Sequence, residues 1–375
     1  MKTAQVVKLL EQIAPPSLAE DWDNVGLLVG DRAASVRKVM LCIDLTPEVL
    51  EEAIAEKVQM VMAYHPVIFK PISRLTSDAN EVVYQAARHG ISVYSMHTAL
   101  DVAPGGTNDV LADAMGLGAQ RKPLEASDGP GECKIVVFAQ AEEVAEIARS
   151  AFAAGAGVIE NYTDCAFFGY GIGSYAGGPG SNPTIGHRDQ TEAVEEVRLE
   201  LVCPPHRVSQ VCDAIRSAHS YETPAIDVYQ LSTAGSGGGM GRVGALPRPV
   251  TVATLISRIK KATGIKRVLL AARPRPKASK GNGKGGLVSV AACGAGACGA
   301  MWKNALAAGA GFYLTGEMRH HDALAATNAG LTVVCVGHSN SERITMTALA
   351  KRIADAMPKL KVTVSKLDKD PFEIV

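Results

Sequence analysis

The chain has 375 residues, enough for two domains and a substantial core. Basic and acidic side chains number 38 each, and the resulting formal net charge of +0 argues against a nucleic-acid surface driven by bulk charge. No apolar run approaches membrane-spanning length, and the eight cysteines are scattered without a C-x-x-C, so reduced thiols and a cytoplasmic setting are expected.

The chain opens MKTAQVVKLLEQIAPP, which reads as an amphipathic helix rather than a secretory leader. Strands and helices then alternate: strand 38–43, helix 47–56, strand 60–63, helix 81–89 and strand 91–96. Such alternation predicts a parallel or mixed sheet with helices on its faces. The middle changes texture, with strand 134–139, helix 142–153, a glycine-rich stretch ending at 170–180, strand 195–202, helix 207–217 and strand 225–230. Two units in this order predict an inserted ferredoxin-like α+β domain. Residues 235–239, Gly-Ser-Gly-Gly-Gly, are a flexible return, and 277–284, KASKGNGK, reads as a solvated basic connector. The first rhythm then resumes in strand 287–292, helix 300–308, strand 311–314, helix 321–328 and strand 331–336. The expected architecture is α/β: two halves of a metal-binding domain at 1–127 and 235–375, with the insert at 128–234.

Three segments place ligand-type side chains where a strand should end: Tyr64-His65-Pro66, His97 to Asp101, and His338 to Glu342. In open α/β sheets ligands gather beyond the carboxyl ends of the strands, so these distant segments can meet at one edge. Pro66 biases His65 toward extended backbone and keeps its imidazole at the strand tip. Asp101 follows His97 by four and precedes the turn-forming residues 102–106, which predicts an exposed loop carboxylate. Glu342 follows His338 by four and falls at an expected helix start, with Ser339, Asn340 and Ser341 as N-caps and 344–353 as the body. Each feature alone is ordinary. Their coincidence makes a mixed set of two imidazoles and two carboxylates, suited to Zn, Mn, Fe or Co and poor for thiolate-loving ions.

Gly294-Ala295-Gly296-Ala297-Cys298-Gly299 spells G-x-G-x-x-G, with Glu317 near the distance of a ribose-binding acid, which raises a dinucleotide-binding alternative. The unit lies late in the chain, and its next strand runs into the polar segment 317–322. The glycines therefore read either as a backbone nest for an anionic group or as a tight strand-to-helix turn. His320 and His321 open a helix and read as surface residues, while His89, His187, His206 and His219 lack carboxylates at ligand spacing.

Taken together, the segments resemble the Nif-three-like family, also called GTP cyclohydrolase I type 2 homologues, in its long form. The resemblance rests on Asp21 to Leu27, Tyr64-His65-Pro66, His97 to Asp101 with Gly105 to Asp109, Asn182 to Gly186, Tyr221 to Ala225, Gly241 to Gly244, and Gly337 to Glu342. It implies a dinuclear metal centre between two α/β halves, a PII-like or CutA-like insert, and a toroidal homohexamer. By position, His65 and Asp101 would hold one metal, His338 the other, and Glu342 would bridge them. One departure stands out: the family has two consecutive histidines where this chain has Tyr64-His65. Either Tyr64 ligates as a phenolate, or His97 or His321 substitutes, or the second ion binds weakly. The chemistry implied is metal-assisted hydrolysis of a phosphate ester or nucleotide, with His97 moving protons. A non-catalytic metal-binding or small-molecule-sensing protein is the other reading.

Overall fold

The computed structural model describes residues 1–126, 132–159, 162–231, 238–272 and 286–373. The basic connector 277–284 and most of the glycine return at 235–239 lie outside them. The chain divides into two compact units, one of Met1–Ser127 with Gly237–Val375 and one of Asp128–Ser236. Both are mixed α/β, and among the described residues no helix is long and apolar enough to cross a membrane.

The larger unit holds two five-stranded sheets. In the first, Gly26–Val29, Ser92–Ser95, Met60–Ala63, Lys38–Cys42 and Lys361–Val364 lie side by side in that order, parallel except for Gly26–Val29. Every residue of Met60–Ala63 is buried, as a central parallel strand covered on both faces requires. Helix Pro47–Ala55 is set by Thr46, whose hydroxyl accepts from the Val49 amide, and by Pro47 at its first position.

The second sheet has the order Arg242–Thr251, Leu287–Gly294, Phe312–Thr315, Thr332–Cys335, Leu269–Ala271. Its three central strands are parallel and its two edges antiparallel. Strand Arg242–Thr251 and the following helix Val252–Thr263 were not expected from the sequence. The closing segment also departs from a clean two-half division. Strand Lys361–Val364 joins the first sheet, pairing Lys361 with Lys38. Helix His338–Ala356 sends Met346, Leu349 and Ile353 into the same core as Val39, Leu41 and Met62. The last apolar face is thus buried against the first half.

The smaller unit runs strand, helix, strand, strand, helix, strand. Its sheet has the order Ala166–Ala176, Thr191–Cys203, Cys133–Ala139, Ile226–Gln230, antiparallel throughout, with Val144–Ala153 and Val208–Ala218 packed on one face. The glycine-rich stretch is here an eleven-residue strand, Ala166–Ala176, and its partner starts at Thr191 rather than 195. Glycines at 169, 171 and 173 alternate with Phe168, Tyr170 and Ile172, so the period of a strand survives the low side-chain content.

Candidate metal centre

Strand Met60–Ala63 delivers Tyr64 and His65 beyond its carboxyl end. Their amides continue the ladder onto the Cys42 and Ile43 carbonyls at 2.8 and 3.0 Å, so the chain stays extended up to Pro66. Strand Ser92–Ser95 leads to His97, which begins helix His97–Val102 with φ at 25°. Strand Thr332–Cys335 leads to His338, the first residue of helix His338–Ala356.

Among the described residues, His65, His338 and Glu342 form a trio whose ligand-type atoms lie within 4.8 Å of one another. Glu342 is 3 % exposed. Its Oε2 lies 3.4 Å from His65 Nε2 and its Oε1 lies 3.2 Å from His338 Nε2. The other nitrogen of each ring is fixed by a carboxylate: His65 Nδ1 donates to Asp44 at 2.8 Å, and His338 Nδ1 donates to Glu317 at 2.9 Å. Such partners orient an imidazole and make its free nitrogen a better donor to a cation. Neither Asp44 nor Glu317 was expected in this role, since each lies just past a strand with no ligand spacing to mark it.

The electrostatics follow from burial and proximity. Burial works against a charge on His65, yet Asp44 and Glu342 outweigh it and push its pKa up to about 10. Contact with Glu342, with Glu317 assisting against burial, lifts His338 to about 9. Burial would raise Glu342, but the two imidazoles hold it below the usual carboxylate range. A buried carboxylate flanked by two imidazolium rings is the metal-free form of a site in which one cation can replace two protons.

Asp101 and Tyr64 occupy the next layer. Asp101 lies within helix His97–Val102 and is 8 % exposed, which corrects the expectation of an exposed loop carboxylate. The helix forms because residues 98–102 are all buried, and that burial overrides the turn signal of the residues that follow. Burial, and then the charge of Glu342, push Asp101 up to about 7. Its Oδ1 accepts a short hydrogen bond from the Tyr64 hydroxyl, which also lies 3.0 Å from Thr107 Oγ1. Burial, reinforced by Asp101, drives the Tyr64 phenol well above its ordinary pKa, so it stays protonated. His97 Nδ1 donates to Asp23 at 2.8 Å, its ring centroid 5.2 Å from that of His65. Asp23 in turn accepts from the amide and hydroxyl of Thr98. Exposed Trp22 makes a T-shaped pair with His97, their ring centroids 5.9 Å apart. His320 and His321 are exposed and outside the trio.

Glu342 also departs from its expected position. The helix starts four residues earlier, at His338 after Gly337, with no side-chain cap, so Glu342 lies in the second turn. The i and i+4 spacing puts it on the same face as His338.

The glycine loop abuts the trio. Gly296 has φ at +61°, and a Cβ there would lie 2.6 Å from Glu342 Oε1 and 3.3 Å from His338 Nε2, so only glycine leaves this space. Two amides of the supposed anion nest are already committed, Ala295 to Asn108 Oδ1 and Gly296 to Ser341 Oγ. Half-buried Cys298 sits close enough to Asp101 and Glu342 for burial and their charge to keep its thiol protonated. Beyond Glu317 a cleft of about 420 Å³ is lined by Gly299, Met318, Arg319 and Asp322 among others.

The donor set fits a divalent cation. Glu342 Oε2 is buried without a hydrogen-bond partner, two imidazole nitrogens face the same carboxylate, and Gly296 keeps the space open.

The family profile for Duf34/NIF3 (NGG1p interacting factor 3) matches residues 1–371. The chain belongs to this family. Among its NIF3 relatives, a GTP cyclohydrolase 1 type 2 homolog of Listeria innocua is 34% identical over 372 residues, covering 97% of this chain and 96% of the relative. A Bacillus subtilis protein of the same name is 32% identical over 374 residues, covering 98% and 97%. The crystal structure of a Bacillus cereus protein related to NIF3 has 31% identity and a TM-score of 0.72, covering 100% of this chain and 99% of that one. NIF3 membership thus agrees with the resemblance carried by the sequence segments.

Proposed function

We propose that this NIF3-family chain is a metal-dependent hydrolase whose substrate is a nucleotide or another phosphate ester. The observation that carries the reading is the buried Glu342 carboxylate held between His65 and His338, with Asp44 and Glu317 bracing the two rings. A divalent cation held by His65, His338 and Glu342 would supply Lewis acidity. Asp101 is the fourth candidate ligand from the sequence. Its contact with the neutral Tyr64 phenol supports a role as an outer carboxylate and a weakened second ion, rather than a Tyr64 phenolate ligand.

The remaining work falls to the chain. His97, held at Nδ1 by Asp23, keeps Nε2 as the nitrogen that takes or gives a proton. Arg319, exposed in the cleft beside Glu317 and without a carboxylate partner within 4.0 Å among the described residues, binds a phosphate oxygen. The face of Trp22 beside His97 receives a planar base.

The finer family features belong to the same proposal. The smaller unit's strand and helix order supports a ferredoxin-like, PII/CutA-like insert at 128–234. The eight cysteines of the whole chain, all free, suit a cytoplasmic setting. A dinuclear centre and a homohexamer rest on the family resemblance.

The test is metal analysis of the protein as isolated, followed by turnover across nucleotides and phosphodiesters. Metal-dependent product formation that falls at least about a hundredfold in Glu342→Gln supports the hydrolase. A bound metal with silence across the panel favours a metal-binding regulator, and a metal-free protein that takes up no divalent ion overturns both readings.

A further inference from the structure

The smaller unit contains a cavity of about 530 Å³ at one end of its sheet, and it uses two sequence segments that the metal centre leaves unexplained, 182–186 and 221–225. Its walls are built and pinned. The Asn182 amide donates to Glu222 Oε1 at 2.9 Å, and the Thr184 hydroxyl donates to the Ser220 carbonyl at 3.0 Å, tying the two segments together. Buried His219 donates from Nε2 to the Phe138 carbonyl at 2.9 Å and accepts the Tyr221 amide on Nδ1 at 3.1 Å. The hydroxyl of Tyr175 is spent on the Ile185 carbonyl and that of Tyr221 on Glu196 Oε1 at 3.0 Å. Tyr175, Tyr221 and Phe138 line the cavity, and with both hydroxyls engaged the two tyrosines have ring surface left to offer.

The charged groups among the described lining residues are of one sign. Glu196 and Glu222 line the cavity, and no Lys, Arg or His does. Each carboxylate has one oxygen engaged, by Tyr221 and by the Asn182 amide, and among the described residues its second oxygen has no hydrogen-bond donor. Glu196 lies flat over Gly173, where a Cβ would fall 2.1 Å from Oε2, so glycine is what lets the carboxylate lie along the cavity floor. The Arg198 guanidinium, 5.5 Å from the centroid of the Phe138 ring, is committed to Glu200 at 2.8 Å.

We propose that this cavity binds a small organic cation, an aryl- or alkylammonium. Its N–H groups are taken by the free oxygens of Glu196 and Glu222, and its hydrocarbon part packs against Phe138, Tyr175 and Tyr221. Aromatic walls with carboxylates and no basic residue among those lining the cavity attract an ammonium through charge and the tyrosine ring faces, and the volume lies in the range of small-molecule pockets. All of its lining residues belong to the smaller unit.

The test is calorimetric titration of the full-length protein with phenethylammonium, 2-phenylethanol and 3-phenylpropanoate, which share a ring and differ in charge. Saturable binding is expected for the ammonium, at least roughly tenfold weaker binding for the alcohol, and none for the carboxylate. Glu196→Gln should weaken ammonium binding by roughly ten- to a hundredfold with an unchanged thermal melt. Should that variant misfold, Glu222→Gln reads the same charge from the opposite wall. Equal binding of the carboxylate, ammonium binding indifferent to folded Glu196→Gln or Glu222→Gln, or no saturation up to the solubility of the ammonium would each overturn the proposal.

Discussion

Tyr64 occupies a position where a phenol can act either as an anionic ligand or as a neutral donor, and its surroundings decide between them. The ring is fully buried, its hydroxyl donates to Asp101, and Glu342 adds a further negative charge nearby. Each of these penalises the phenolate. Asp101 is in turn occupied by that hydrogen bond, and its own acidity is weakened by burial and by Glu342. A histidine at residue 64 would offer a neutral nitrogen donor and release Asp101. Tyr64→His is therefore expected to raise the metal content by about one ion per chain, read by elemental analysis of protein loaded in excess metal. An unchanged stoichiometry would mean that the second position is limited by something other than this phenol.

Helix His338–Ala356 couples packing to chemistry. Its first two turns carry His338 and Glu342, while farther along Met346, Leu349 and Ile353 are buried against the first sheet. Leu349→Ala removes a side chain that is 1 % exposed, which costs about 2–5 kcal/mol, and it loosens the helix that sets the imidazole to carboxylate distance. Chemical denaturation should register the first effect, and weaker metal binding by the folded variant the second. Unaltered affinity would show that the first turn is held independently by Ser341 and Glu317. The strands leading to His65, His97 and His338 were legible because short apolar runs ended in polar residues. The start of this helix was not, because Ser339, Asn340 and Ser341 look like caps, whereas the chain turns at Gly337, with φ at +93°, and their side chains bond elsewhere. Helix Val252–Thr263 had readable signals, a Thr251 cap, apolar residues at 252, 255, 256 and 259, and Gly264 beyond its end. Strand Lys361–Val364 had none, since four residues that pair with a strand more than three hundred positions away leave no local pattern. Asp44, Asp23 and Glu317 were missed for the same reason: their partners are distant imidazoles, and spacing along the chain says nothing of a contact made across the fold.

For the whole molecule, the site makes stability, pH and metal one linked problem. In the metal-free chain His65 titrates at about 10 and His338 at about 9, against an ordinary 6.5, so between these values the folded state holds protons that the unfolded state has released. Their stabilisation is complete below pH 6.5 and is lost as pH rises through 9 to 10. Asp101, raised to about 7, acts in the same direction from about pH 4 to 7. Glu342, held low, contributes stability above its ordinary pKa of 4.5 and loses it in acid. The metal-free protein should therefore melt at progressively lower temperature from pH 6 to pH 10. A divalent ion reverses this slope, because it competes with the two imidazole protons and binds more tightly as they leave. Thermal melts across this range with and without metal should diverge with rising pH, and calorimetry at pH 7 in buffers of different ionisation enthalpy should record protons released on uptake. Parallel melting curves with no proton release would mean that His65 and His338 are not the groups the cation displaces protons from, and the trio would lose its claim to be the metal site.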